Sequence, residues 1–197
     1  MRPYVRTDSP TKPWTVITRA LASGLIGAAL YASLHVFVVS FPSTALIDLG
    51  FALAVVPALG IRYGALAGLI AGTIGSACTH DLPSIGFSTF FSRDLPEGLV
   101  GVVAGVVGYF ILGDVGPAQR VARVTASAMA GEIVGVAAKF SEFLVRSDFP
   151  FKVAAIYLPI FLINALLAVL FVPVADHLIA ALVGYSWPGD EQALHGK

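Results

Sequence analysis

Ala126-Ser-Ala-Met-Ala-Gly-Glu-Ile-Val-Gly-Val-Ala-Ala-Lys-Phe-Ser-Glu-Phe-Leu-Val-Arg146 is long and apolar enough to cross a bilayer, yet it carries Glu132, Lys139 and Glu142. These charges are spaced by seven and by three, which puts all of them on one face of a helix. Ala128, Gly131, Gly135 and Ala138 fall on much the same side, where small residues let neighbouring helices come close. An ionisable side chain inside a span costs about 2.5–3.5 kcal/mol on insertion scales. Such a group persists where it faces protein and has partners. The stretch therefore predicts a bundle of helices assembled around a polar face.

The composition agrees. The chain has 197 residues, of which 57% are hydrophobic and only 12% charged, and its mean hydropathy is +0.85. A water-soluble domain carries about twice that charged fraction. The apolar runs show no period-two alternation, so the expected class is an all-α polytopic membrane protein embedded in a lipid bilayer, not a β-barrel. A net charge of zero excludes the basic footprint of a nucleic-acid binder. Cys78 is the single cysteine, so neither a disulfide framework nor a cysteine metal cluster is expected. No metal and no other cofactor is expected, and no motif of an enzyme or of an ATPase occurs.

Working outward, the runs predict six transmembrane spans in one domain over residues 14–185, with polar tails at 1–13 and 186–197. The spans fall at about 14–40, 45–60, 64–79, 97–112, 126–146 and 151–172. Arg62 and Tyr63 mark a very tight connection between the second and third spans. Gly64, Gly68 and Gly72 then leave one face of the third span nearly bare backbone. Pro173 is expected to bend or end the last span, with 174–185 lying along the interface. Positive-inside bias sets the orientation. With both termini in the cytoplasm, the inner segments hold Arg2, Arg6, Lys12, Arg19, Arg62, Arg120, Arg123 and Lys197, against Arg93, Arg146 and Lys152 outside.

On that topology Glu132 lies near mid-depth, Lys139 above it and Glu142 near the outer edge. Two readings stay open. One is a small-molecule pocket, with Lys139 meeting an anionic or carbonyl group and a carboxylate meeting a donor. The other is an internal Glu–Lys pair that holds helices together. Tyr157 in the outer half of the last span and Asn164 deeper in it are further candidate ligand groups. His80 and Asp81 close the third span at the outer surface. They belong to a polar-aromatic loop, 80–96, in which Phe87, Phe90, Phe91 and Arg93 are placed either to fold over a flat ligand or to rest at the membrane interface. His35 stands alone on the first span and reads as a packing residue.

Three features together resemble the substrate-binding S component of energy-coupling factor (ECF) vitamin transporters. The first is the stripe Gly24, Ala28 and Ala32 on the first span, similar to the small-residue surface by which that family docks on its coupling subunit. The second is the segment from Ile47-Asp-Leu-Gly-Phe-Ala-Leu53 into Pro57-Ala-Leu-Gly-Ile-Arg-Tyr-Gly-Ala-Leu-Ala-Gly-Leu-Ile-Ala-Gly-Thr-Ile-Gly75, a short hairpin with a glycine-rich turn. The third is Leu162-Ile-Asn-Ala-Leu-Leu-Ala-Val-Leu-Phe-Val-Pro173 in the last span. Ile61-Arg62-Tyr63 departs from the family's usual turn, and no motif assigns a particular vitamin.

The resemblance implies capture of a vitamin or related micronutrient at the outer face of the cell membrane. It also implies partnership with a transmembrane coupling subunit and two ABC ATPases. Two other functions fit the same charged face: a self-contained ion-coupled small-molecule carrier, and a membrane scaffold subunit without a ligand.

Overall fold

The computed structural model describes residues 13–39, 52–79, 90–113, 115–145 and 151–182. They form α1 (Pro13–Val39), α2 (Val55–Tyr63), α3 (Ala65–Ala77), a π-helical turn (Phe90–Asp94), α4 (Leu95–Ile111), α5 (Pro117–Val145) and α6 (Phe151–Leu182). The described residues form six α-helices, but the expectation of six spans is corrected. Among the described residues only four helices, α1, α4 (with the π-turn before it), α5 and α6, are long and apolar enough to cross a membrane. The 9 residues of α2 and 13 of α3 rise about 13 Å and 20 Å, short of a hydrocarbon core of roughly 30 Å. Apolar composition alone suggested two spans where the chain makes a short helical pair. This is an all-helical, multi-pass membrane protein.

The short pair turns at Gly64, whose φ of 95° is closed to side chains bearing a Cβ and whose N–H donates to the Gly60 carbonyl at 2.9 Å. Helices that stop short in a membrane have to hide their ends in protein. Every residue of α2 from Val55 to Ile61 is accordingly buried, enclosed by α1, α3, α4, α5 and α6.

Small residues set the packing. A Cβ built on Gly68 would stand 2.6 Å from the backbone carbonyl carbon of Gly101, so α3 and α4 meet backbone to backbone. Gly72 meets Glu97 in the same register, which makes α3 and α4 antiparallel. Gly131 of α5 closes on the Val100 backbone carbonyl of α4, and Gly135 takes the Val100 side chain. A core of Ala58, Ile61, Ala104, Val124, Ala128 and Val172 then ties α2, α4, α5 and α6 together. The outward faces carry large apolar side chains, among them Ile26, Phe110 and Leu170, as suits contact with lipid.

Two further expectations change. Pro173 does not end the last helix: α6 runs through it to Leu182. The segment after it is not an interfacial tail over its described part, because Asp176 and Ala180 are buried in the bundle. They continue the inward stripe of Ala168 and Val172 at spacing four.

Candidate functional site

The buried charges fall into two groups at opposite ends of the bundle. At the end formed by the α2–α3 turn, Arg62 is held by Asp176. Its Nε donates to Asp176 Oδ1 at 2.9 Å, and one terminal nitrogen donates to the Asp176 backbone carbonyl at 2.8 Å. Arg120 reaches the other carboxylate oxygen at 3.3 Å. Both oxygens of Asp176 are thus paired, and three helices are joined. Beside this group Arg19 lies 5.5 Å from the Tyr63 ring centre, and Arg123 donates to the Ile111 carbonyl.

Towards the other end, α3, the π-turn, α4 and α5 bring together Ser76, Asp94, Glu97, Glu132 and Lys139. Ser76 donates to Asp94 Oδ1 at 2.8 Å, and both are buried. The Lys139 ammonium pairs with Glu97 Oε1. Glu132 lies within Coulombic reach of Glu97 and Lys139. Glu97 and Glu132 are each 5% exposed. Among the described residues, the buried atoms Glu97 Oε2, Glu132 Oε1 and Asn164 Oδ1 on α6 find no hydrogen-bond partner. Two glutamate carboxyls thus share the surroundings of one ammonium, and part of their accepting capacity is unused among the described residues. A molecule that brings N–H or O–H donors, or a positive charge, would complete this group.

No family model, curated protein or solved structure matches this chain. The site therefore rests on its own geometry.

Lys139 and Glu132 are in one constellation, as the charged face of α5 predicts, but the partner of Lys139 is Glu97. Asn164 is buried on α6. Phe90 and Arg93 are exposed in the π-turn, where Phe90 packs edge-on against Phe91 with ring centres 5.3 Å apart. Tyr157 belongs to α6 and Glu142 to α5; their side chains lie outside the described residues, as do His80, Asp81 and Phe87 entirely. His35 stacks on Tyr31 with ring centres 6.0 Å apart. Gly24 and Ala28 face the interior, where Gly24 meets Ile70 and Ala28 meets Gly75, while Ala32 is half-buried. The corresponding part of the expected docking stripe is therefore an internal contact with α3. Among the described residues no three His, Cys, Asp or Glu are grouped to hold a metal ion.

Glu97, Asp94, Ser76 and Asp176 are site or anchor residues that the sequence did not single out. Glu97 had a local signal: it stands four residues before Gly101 and eight before Gly105, on the face where α4 meets α3.

Between α5 and α6 a groove of about 320 Å³ opens beside Glu132. Its walls include Val136, Ala137, Phe140, Leu162 and Leu166, and Glu132 is the one ionisable residue among them.

Proposed function

We propose that this protein is the substrate-binding membrane subunit of an importer, with its ligand held at the Glu97–Lys139–Glu132 group in the half of the bundle that the basic-residue bias assigns to the outside. The observation that carries this function is the pair of buried carboxylate oxygens, Glu97 Oε2 and Glu132 Oε1, that no donor among the described residues satisfies. Leaving such a group unpaired costs about 1–3 kcal/mol. A ligand donor would recover that free energy on binding. The nearby Lys139 keeps the group from being purely acidic, and so favours a ligand with both donors and acceptors.

An ECF-type subunit in the cell membrane is the specific form favoured by chain size, the short glycine-rich helix pair and the Asn-bearing last helix. In that form a vitamin-like ligand is captured here, and the energy comes from a coupling subunit and two ABC ATPases. Because Gly24 and Ala28 pack on α3, the docking face has to include other parts of α1. The same charged constellation also contains acids and a base in contact, which favours an ion-coupled carrier as the second function.

Uptake of radiolabelled water-soluble vitamins into proteoliposomes separates the two. ATP-dependent uptake that requires the added coupling subunit and ATPases is the expected result. Uptake by the purified chain alone under a proton gradient would establish the carrier instead.

A further inference from the structure

Lys139 is engaged by Glu97, and Glu132 is left without an ion pair of its own. The ammonium meets Glu97 Oε1. Glu132 is 5% exposed, and its Oε1 has no hydrogen-bond partner among the described residues. α5 packs against α2, the π-turn, α4 and α6. Among the described residues of these elements only Glu97 acts electrostatically on Glu132, and on α5 itself only Lys139 does. Asp94 is bonded to Ser76, and Arg62 and Arg120 are paired with Asp176. The groove beside Glu132 is walled by hydrocarbon side chains such as Val136, Phe140 and Leu162, which bring no donor.

Two carboxylates against one ammonium would leave one negative charge buried within helices apolar enough to span a membrane. An uncompensated charge in such a place is unfavourable, and a carboxyl group avoids it by taking up a proton. The same proton mends a second deficit. Glu97 Oε2 and Glu132 Oε1 are both acceptors that lack a donor, and a protonated carboxyl supplies an O–H. Charge and hydrogen bonding thus call for the same occupant. Glu97 is the less favourable place for it, because its other oxygen already holds the ammonium.

We propose that Glu132 is a proton-binding site: in the ligand-free protein at neutral pH it is a neutral carboxylic acid, and the group then holds one carboxylate and one ammonium. A ligand donor that engages the ionised carboxylate takes the proton's place, and the proton leaves to water. That exchange rests on the proposed function, whereas the resting proton does not.

The test is infrared spectroscopy of the full chain in nanodiscs of ether-linked lipid, which has no ester carbonyl to mask the band. The wild type at neutral pH is expected to show the C=O stretch of one protonated carboxyl per chain. Glu132→Gln, close in shape to the neutral acid, should lose it. Glu97→Gln should lose it as well, since Lys139 is then left to Glu132. Lys139→Met should instead add a second such carboxyl, because Glu97 then takes up a proton too. Unfolding into water would not produce that gain, since solvated carboxyls are ionised at neutral pH. A wild type without the band, a band that survives Glu132→Gln or Glu97→Gln, or no gain in Lys139→Met would overturn the proposal. The expected bands in a protein that binds no small molecule would uphold the proton site and remove the proposed function. A missing band together with a ligand that requires Glu132 would do the reverse.

Discussion

The two buried charge groups of this bundle have opposite economies. Asp176 at the arginine end has both carboxylate oxygens and its backbone carbonyl engaged by Arg62 and Arg120. Glu97 and Glu132 at the other end each keep a buried oxygen without a partner among the described residues, although Lys139 pairs with Glu97 beside them. Burial is the same in both places, at 5% exposure for Asp176, Glu97 and Glu132. The difference is completeness. A closed group holds helices together, whereas an open one keeps accepting capacity that, under the proposed function, a ligand completes.

The comparison can be broken by substitution. The largest effect is expected at the closed group. Asp176→Ala removes the carboxylate counter-charge from the Arg62 guanidinium, which is only 5% exposed, and should cost about 3–5 kcal/mol. Chemical unfolding in detergent measures this, and a loss below 1 kcal/mol would show that the cluster is not an anchor. Ser76→Ala removes a donor from buried Asp94 and should cost about 1.5–3 kcal/mol in the same assay. Gly101→Ala forces α3 and α4 apart, since its Cβ would stand 2.5 Å from the Gly68 carbonyl carbon. A loss of about 1–3 kcal/mol is expected, partly recovered if relaxation is easy. The smallest stability change belongs to Glu132→Gln, under about 1 kcal/mol. It loses attraction to Lys139 but also repulsion from Glu97, and no bond to Oε1 is broken.

Much of this arrangement was legible along the chain. Spacing on α5 identified Glu132 and Lys139 as inward groups, and the glycine repeat after Arg62 identified a tight turn and a bare helix face. What could not be read were pairings between distant segments. Arg62 and Asp176 are separated by 114 residues, and nothing local to either announces the other. Arg62 looked like a topology signal, and Asp176 looked like part of a tail because Pro173 precedes it. Proline was given too much weight: a helix can pass through it where neighbouring helices support the freed backbone. Hydropathy likewise could not distinguish α2 and α3, enclosed by protein, from spans enclosed by lipid. Their composition is the same, and only length separates them.

If the open group exists for a ligand, the purified protein should hold one. The direct measurement is mass spectrometry of small molecules retained by the gently purified wild-type chain, Glu132→Gln and Asp176→Asn, followed by equilibrium binding of whatever is found. A donor-bearing molecule is expected on the wild type, with a loss of affinity of tenfold or more, about 1.4 kcal/mol, in Glu132→Gln. Asp176→Asn should be less stable yet bind as the wild type does. A wild type that retains and binds nothing, or a ligand held equally by Glu132→Gln, would contradict the proposed function.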